Sequence, residues 1–366
     1  MQTVVQVSSL RRVASWVPLA FVPLAVALAW LAPERRVAIF VVSVIAIMPL
    51  AGHIGQATDH LATRLGGGIG GLLNATFGNI AELIIGAFAL HNGLYDLVKA
   101  SITGSIIGNV LLVFGASALA GGLRHPFQRF NRTAAGMGTT MLLLSAIGLG
   151  VPAVFHHLAS RYTERELTLD TEIAVVLFLT YGAGLVFTLK THRQLFGRAH
   201  DEESADDGAE SLPSVRRSVI TLLAATAAVA VVGELLVDAV SEAATTLGMS
   251  QLFVGVIIVA LVGNAAEHYT AVTMAARDRM DAAIGISVGS STQIALFVAP
   301  VLVFLSYAIA PEPMNLRFTT FELVAIGLAV LSIAFIAHDG ETNWMEGVML
   351  LAVYAILALG FYFLPA

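Results

Sequence analysis

The sequence predicts an all-α membrane protein that crosses the bilayer eleven times. Of its 366 residues, 57% are hydrophobic and 12% are charged, about half the charged share of an ordinary soluble domain. The charges are clustered, which leaves uncharged stretches such as Leu350–Pro365, and a membrane-spanning helix needs about 20 mostly apolar residues. A soluble protein would expose several such stretches to water, so that class is excluded.

Apolar stretches of spanning length follow one another along the chain. One clearly hydrophilic linker, Thr191–Pro213, separates the sixth from the seventh, and its residues 201–210 hold six carboxylates without Lys or Arg. This acidic linker is either a soluble connector or a calcium-sensing segment. The first stretch also resembles a signal peptide, but we expect it to be retained because further spans follow. The predicted spans are 13–32, 37–59, 68–90, 99–121, 133–155, 170–190, 217–240, 251–276, 282–309, 320–337 and 346–364.

The basic residues of the short loops predict the orientation in the membrane. With a cytoplasmic N-terminus, the cytoplasmic side carries 13 of the 19 Lys and Arg residues, and such residues concentrate on that side of membrane proteins. We therefore expect the N-terminus and the acidic linker in the cytoplasm and the C-terminus outside. The compact chain favours a multi-pass protein of a prokaryotic plasma membrane.

An internal repeat relates the two halves of the chain. Gly78-Asn79-Ile80-Ala81-Glu82 recurs in the second half as Gly263-Asn264-Ala265-Ala266-Glu267, and Gly104-Ser105 recurs at the same offset as Gly289-Ser290. Asn and Glu are rare inside membranes, so their joint recurrence indicates a duplication. Each unit holds five spans, so the second is inverted, as in many secondary transporters. The predicted division is an extra helix (1–36), repeat 1 (37–190), the acidic linker (191–216) and repeat 2 (217–366).

Glu82 and Glu267 lie near the middle of the third and eighth predicted spans. An ionised carboxylate at that depth costs about 3 kcal/mol or more unless it pairs, binds a cation or holds a proton. The spans that carry the repeated motifs have no Lys or Arg except at their ends, so pairing with a base is not expected. Two carboxylates brought together by pseudo-symmetry would make a site that a divalent cation neutralises and that protons compete for.

Further oxygen donors accompany the two glutamates. Asn79 and Asn264 each precede a glutamate by three residues, which puts amide and carboxylate on one helix face. Ca²⁺ takes six to eight oxygen ligands in flexible geometry, whereas Zn²⁺ favours His or Cys, and this chain has no Cys. A ring of oxygens therefore favours Ca²⁺, with backbone carbonyls added if the glycine-rich segments break the helices rather than only pack closely. The remaining candidates for cation binding are Ser105, Asn109, Ser290 and Gln293.

Two other spans carry candidates for gating or for a proton relay. Glu234, Asp238 and Glu242 are spaced by four residues and share one face of the seventh span. The second span contributes Asp59 and His60. The alternative is that Asp59 and Glu242 merely lie in water at helix ends.

The sequence around these residues resembles the signature repeats of the calcium/proton antiporters, the cation/proton exchanger (CAX) branch of the calcium:cation antiporter superfamily. The resemblance rests on residues 74–83 and 262–268, with residues 104–109 and 289–297 similar to neighbouring family segments. It implies an extra helix before two inverted five-helix repeats, and Glu82 and Glu267 as the central cation and proton carriers. It also implies an acidic segment between the repeats and, for members of this size, a possible homotrimer.

Two features bear on what the resemblance implies. The second span has Asp59-His60 where the family suggests two acidic residues. The resemblance therefore does not by itself give this span the family's gating or relay role. The related sodium/calcium exchangers usually carry a proline just before the key acidic residue, whereas this chain has Ala81 and Ala266. The resemblance therefore favours protons over sodium as the counter-ion.

The predicted function is secondary active exchange of cytoplasmic Ca²⁺ for protons by alternating access. Ca²⁺ is the transported substrate, no cofactor is expected, and no group of residues supports an enzyme or a nucleic-acid partner. A sodium/calcium or broader divalent-cation exchanger is the alternative within transporters. A cation channel is the alternative from another class, although channels usually build their pore from symmetric subunits.

Overall fold

The computed structural model describes residues 17–65, 67–159, 163–192 and 213–364. Almost all of these residues are helical, because a helix pairs every backbone N–H and C=O within its own segment and lipid offers no substitute partner. The basic pair Arg11 and Arg12, as well as the acidic run 201–210, lie outside the described residues.

The first half of the chain forms seven helices within the described ranges. They are α1 (Phe21–Leu31), α2 (Arg36–Leu65), α3 (Gly67–Phe77), α4 (Ile80–His91), α5 (Tyr95–Gly122), α6 (Arg132–Ala159) and α7 (Thr163–Val186). A 3₁₀ turn (Val17–Ala20) precedes α1, α5 contains a π-helical stretch (Gly108–Val113), and α7 continues as another (Phe187–Thr191).

The second half, from residue 213 onward, forms six more. They are α8 (Val215–Thr246), α9 (Gln251–Gly263), α10 (Ala265–Ala275), α11 (Met280–Ile309), α12 (Thr320–Asp339) and α13 (Trp344–Phe363). Two π-helical stretches, Val254–Val259 and Ile294–Val298, interrupt α9 and α11. Two short strands, β1 (Gln128–Arg129) and β2 (Glu341–Thr342), pair antiparallel and join a loop of the first half to one of the second.

The helices have the lengths and surfaces of membrane spans. Among the described residues, eight helices are long and apolar enough to cross a membrane, and nine if the bent pair α9–α10 counts as one span. The apolar helices α1 and α4 are shorter. Large apolar side chains are exposed on the outer helices, for example Trp30 (87%) and Phe363 (78%). The all-α membrane fold is confirmed, whereas the count of eleven crossings and the division into repeats stay predictions.

Two spans are broken at equivalent places. Gly78 and Asn79 separate α3 from α4, and Asn264 separates α9 from α10, which are bent by 63°. The backbone angles agree, with φ −106° and ψ 18° at Asn79 and φ −95° and ψ 16° at Asn264. A new helix therefore starts in the interior of the bundle in each half.

Glycines allow the helices around these breaks to touch along their backbones. A Cβ atom on Gly104 of α5 would lie 1.9 Å from the carbonyl oxygen of Val256 in α9, and one on Gly255 would lie 2.5 Å from Cβ of Ala100. In α3, a Cβ on Gly70 would lie 2.8 Å from the backbone of Ala62. Close packing and helix breaks thus occur together. Around this centre, α2 packs along α8, and α4 packs against α8 and α11.

Candidate cation-binding site

Glu82 and Glu267 occupy the same position in two half-helices. Each is the third residue of its helix, Glu82 in α4 and Glu267 in α10. The first backbone N–H groups of a helix have no partner within it, and the helix dipole is positive at this end. Each break therefore presents a helix start that stabilises a carboxylate in the interior of the bundle.

The two glutamates come together although they belong to opposite halves of the chain. A Cβ atom on Gly263 would lie only 2.8 Å from Oε1 of Glu82, so the Glu82 carboxylate lies directly against the break between α9 and α10. Glu267 lies in the first turn after that break, and its carboxylate is within electrostatic range of Glu82 and of Asp59. The arrangement thus brings one acidic residue from each half to a common place.

The site contains buried acceptor oxygens that no donor satisfies. Both glutamates are half-buried as residues, but Oε2 of each is buried without a hydrogen-bond partner among the described residues. Oδ1 of Asn109 is likewise buried without a hydrogen-bond partner among the described residues. Leaving one such atom unpaired costs about 1–3 kcal/mol, and more if it is charged. Buried acceptors without donors are suited to receive a cation or a proton.

A network of amides holds the broken segments in place across the two halves. Nδ2 of Asn264 donates to Oγ of Ser105 at 2.9 Å, and Nδ2 of Asn109 donates to Oδ1 of Asn264 at 3.1 Å. Nδ2 of Asn79 donates to Oε1 of Gln293 at 2.7 Å. Because Asn109 uses its amino group on Asn264, its carbonyl oxygen remains as an acceptor. Each break asparagine is thus bound by a helix of the opposite half.

The two halves of this network are not identical. Ser105 is 3% exposed and bonds to Asn264, whereas its counterpart Ser290 is half-buried and Gln293, three residues further on, bonds to Asn79. At the centre, Oγ of Ser291 donates at 3.2 Å to the carbonyl of its own counterpart, Ile106. This bond brings α5 and α11 into direct contact beside the site.

This site lies in a chain whose two halves match one family model. The model is described as sodium/calcium exchanger protein, and it matches residues 36–190 and 217–363. The chain belongs to this family. The matched segments stop and resume on either side of the acidic linker, and each contains one break with its glutamate.

Relatives and a solved structure agree with this assignment. This family member is 42% identical over 358 residues to the Ca(2+)/H(+) antiporter of Aphanothece halophytica, with 95% of each chain covered. It is 45% identical over 327 residues to the Ca(2+)/H(+) antiporter ChaA of Bacillus subtilis, covering 89% of this chain and 92% of the relative. The solved structure of native YfkE matches with a TM-score of 0.83 at 41% identity, covering 96% of this chain and 99% of that one. The resemblance read from the motifs is confirmed.

The predicted gating residues lie towards opposite ends of the bundle. Asp59 is exposed near the C-terminal end of α2, and His60 beside it is half-buried. On α8, Glu234, Asp238 and Glu242 are exposed. Two of these three contact other helices or loops: Nδ2 of Asn92 donates to Oδ1 of Asp238 at 3.0 Å, and Glu242 pairs with Arg36 at the start of α2 at 3.6 Å.

The gating helices are longer than their predicted spans. The sequence places the ends of the second and seventh spans at residues 59 and 240, whereas α2 continues to Leu65 and α8 to Thr246. Polar residues can continue a helix beyond the apolar core, since its backbone hydrogen bonds do not depend on lipid. Asp59 therefore lies six residues before the end of α2 and Glu242 four residues before the end of α8, and both are exposed.

Glu322 is a buried carboxylate that the sequence analysis did not single out, and it behaves differently. It is 1% exposed, and its Oε2 accepts from the backbone N–H and the hydroxyl of Thr319, both at 2.8 Å. The hydroxyl of Thr103 donates to its Oε1 at 3.1 Å. This is a capping box at the start of α12, and the T-x-x-E spacing before an apolar run was its signal in the sequence. Because its oxygens are satisfied, Glu322 is assigned a structural role.

The described residues hold no group of three or more His, Cys, Asp or Glu side chains arranged for a metal ion. The candidate site instead combines two carboxylates with amide and hydroxyl oxygens. Such oxygen donors suit a hard cation that tolerates flexible coordination geometry, as Ca²⁺ does.

Proposed function

We propose that this protein exchanges Ca²⁺ for protons across a membrane, with both ions using Glu82 and Glu267 in turn. The supporting observation is the set of buried, unpartnered acceptor oxygens on Glu82, Glu267 and Asn109. The relatives named as Ca²⁺/H⁺ antiporters, at 42% and 45% identity, support the choice of substrates.

The chemistry of exchange follows from competition for the same oxygens. Ca²⁺ neutralises the two carboxylates together, and Asn109 with the other neighbouring oxygens completes part of its shell. Protons bound to the two carboxyl groups neutralise the site in its absence. A doubly charged empty site is costly to carry through the membrane, so the protein changes orientation only when loaded. Each Ca²⁺ that leaves is therefore replaced by protons.

The approaches to the site are assigned to opposite faces of the membrane. With the N-terminus inside, Asp59 and His60 lie on the cytoplasmic approach, whereas Glu234, Asp238 and Glu242 lie on the external approach. Acidic side chains on both sides attract Ca²⁺ towards the site. The long packed pair α2 and α8 carries both sets, so a relative movement of these helices would open one approach while it closes the other.

The topology, the location and the assembly of the whole protein are part of the proposal. The acidic linker, residues 191–216, is assigned to the cytoplasm, with repeats 37–190 and 217–366 on either side and an extra helix in residues 1–36. The prokaryotic plasma membrane and a homotrimer are proposed as its location and assembly. Chemical crosslinking in native membranes, followed by mass determination, tests the assembly.

Transport in everted membrane vesicles tests the proposed function. A pH gradient, acid inside, should drive uptake of radioactive Ca²⁺, and Glu82→Gln and Glu267→Gln should each abolish it because the site loses a titratable ligand. Glu34→Gln is the matched control, since this residue is exposed in the turn between α1 and α2. Near-normal uptake by either site variant, at equal protein amounts, would contradict the proposal.

The same vesicles separate the alternatives. A sodium gradient at constant pH should leave Ca²⁺ uptake near background, whereas a sodium/calcium exchanger would respond to it. Flux that follows the membrane voltage without any counter-ion would indicate a channel. Competition by Mn²⁺ and other divalent cations measures the selectivity.

A further inference from the structure

The far ends of the two glutamate-bearing half-helices are held by loops of the opposite half. We name the contact between residues 123–131 and the turn 275–281 the Gln128 clasp. We name the contact between residues 309–319 and the turn 91–99 the Tyr95 clasp. The first lies beyond the end of α5 and the second at its start, so the clasps are at opposite ends of the bundle.

In the Gln128 clasp, one buried side chain binds the end of α10. Gln128 is 1% exposed, and its Nε2 donates to the carbonyl of Ala275, the last residue of α10, at 2.8 Å and to Oδ1 of Asp278 at 3.2 Å. Nη1 of Arg124 donates to the carbonyl of Ala276 at 3.4 Å. The last carbonyls of a helix have no partner within it, so these donors cap α10 from outside.

The loop that carries Gln128 is itself fixed on both sides. The backbone N–H of Asn131 donates to the carboxylate of Asp281. The pairing of β1 with β2 ties the same loop to the turn between α12 and α13. A Cβ on Gly121 would lie 1.8 Å from Oε1 of Gln128 and 2.7 Å from the carbonyl oxygen of Ala275, so α5 packs directly against this contact.

In the Tyr95 clasp, the central hydrogen bonds are made by a phenol that lies in the turn 91–99 itself. The Tyr95 hydroxyl donates to the carbonyl of Glu312 at 2.8 Å and accepts from the Glu312 backbone N–H at 2.8 Å. Nδ1 of His91, the last residue of α4, lies 3.2 Å from the carbonyl of Ile309. Nζ of Lys99 donates to Oδ1 of Asn315 at 3.5 Å. The end of α4 is thus fixed to the second half.

The two clasps occupy equivalent places in the duplication. Gly93 and Asp278 are related by the same offset as Glu82 and Glu267, and both have positive φ, +70° and +62°. Arg132 and Arg317 are related by that offset too, and each lies within hydrogen-bond distance of a histidine, His338 at 3.2 Å and His156 at 3.1 Å. Both clasps share the residue of positive φ and the contact between an arginine and a histidine. They differ in the hydrogen bond at their centre, which Gln128 makes in one and Tyr95 in the other.

A small change in the angle of a half-helix at its clasped end produces a large displacement of the glutamate near its other end. Glu267 and Ala275 are eight residues apart in one helix, or about 12 Å at 1.5 Å per residue. A rotation of α10 by about 10° around its clasped end would move Glu267 by about 2 Å, whereas a binding group has to be held within about 0.5 Å. The break at Asn264 interrupts the helix on the other side, so the clasp supplies the orientation that a continuous helix would otherwise give.

We propose that Gln128 and Tyr95 are positioning residues for cation exchange, each holding one glutamate-bearing half-helix at the angle that brings its carboxylate to the shared site. This rests on the proposed function of Glu82 and Glu267. Neither residue touches the cation.

The test replaces only the bonding atoms. Gln128→Met keeps the length of the side chain and removes the donor, and Tyr95→Phe removes one hydroxyl. Each should raise the KM for Ca²⁺ in vesicles about tenfold, the effect of losing roughly one strong hydrogen bond. The maximal rate should change little, and the purified protein should remain folded at the assay temperature. A merely structural role would lower the thermal unfolding midpoint and the maximal rate and leave KM unchanged.

A third variant keeps the test decisive if Gln128→Met fails to fold. Asp278→Gly removes only the 3.2 Å acceptor, and glycine suits the positive φ at this position. It should raise KM about two- to threefold without loss of stability. Wild-type KM in both Tyr95→Phe and Asp278→Gly overturns the proposal. Failure of the wild-type protein to exchange Ca²⁺ for protons would instead refute the proposed function, so the two failures are distinguishable.

Discussion

The backbone of Gly263 lies so close to the Glu82 carboxylate that a larger side chain has no room there. A substitution at Gly263 therefore tests the position of this carboxylate. The change Gly263→Ala places a methyl carbon 2.8 Å from Oε1 and 3.2 Å from Cδ of Glu82. An ordinary contact of such a carbon is at least about 3.4 Å, so the carboxylate has to withdraw by about 0.6 Å. Since Ca²⁺–oxygen distances span only about 2.3–2.6 Å, this displacement is larger than the site tolerates.

The expected result separates transport from stability. We expect at least a tenfold rise in the KM for Ca²⁺, because Glu82 no longer reaches the position it shares with Glu267. The unfolding midpoint should not fall, since alanine favours a helix over glycine by up to about 1 kcal/mol and the crowded neighbour is a side chain. Proton-gradient-driven Ca²⁺ uptake in vesicles measures the first quantity, and thermal unfolding of the purified protein measures the second.

Gly285 offers a matched control for the substitution at Gly263. Gly285→Ala adds the same methyl group in α11, where nothing lies within 4 Å, so its KM should equal that of the wild type. A wild-type KM in Gly263→Ala, with normal protein amounts, would refute the position assigned to the Glu82 carboxylate.

Three further predictions follow from the same contacts. Asn109→Ala removes a buried acceptor and the donor to Asn264, so the KM for Ca²⁺ should rise about five- to tenfold; an unchanged value would exclude Asn109 from the site. Lowering the pH on the Ca²⁺-binding side should raise the KM without changing the maximal rate, because protons occupy the same carboxylates, and a pH-independent KM would contradict competition. Thr319→Ala removes one hydroxyl from the capping box of α12, so the free energy of unfolding should fall by about 1–2 kcal/mol, while KM, measured on the folded protein, should stay within twofold of the wild type.

The paired motifs allowed much of the candidate site to be predicted from the sequence. Glu82, Asn79, Glu267 and Asn264 could be named because polar residues are costly in lipid and their recurrence is unexpected by chance. The structural role of Glu322 had a local signal, the T-x-x-E spacing of a capping box. The hydrogen bond from Thr103, which belongs to the other half of the chain, is seen only in the structure.

The hydrogen-bond partners within the amide network could not be predicted from the sequence. The repeat aligns Ser105 with Ser290, but the structure pairs Asn264 with Ser105 and Asn79 with Gln293. Asn109 has no polar counterpart, since the apolar Ile294 stands at the equivalent place of the second half. The backbone angles at the two breaks agree more closely than the side-chain partners do, because side chains at a helix crossing can contact from neighbouring turns.

The amino-acid sequence alone determined that this protein is a bundle of membrane helices with one acidic motif in each half. These properties are local: a stretch of apolar residues has to form a helix in lipid, and a carboxylate there has to be neutralised, wherever the rest of the chain lies. Tertiary structure alone decided that Glu82 lies against Gly263, that Asn79 meets Gln293, and that Gln128 holds the end of α10. Those contacts join residues of opposite halves of the chain, and their geometry depends on how the helices pack, which no local pattern encodes.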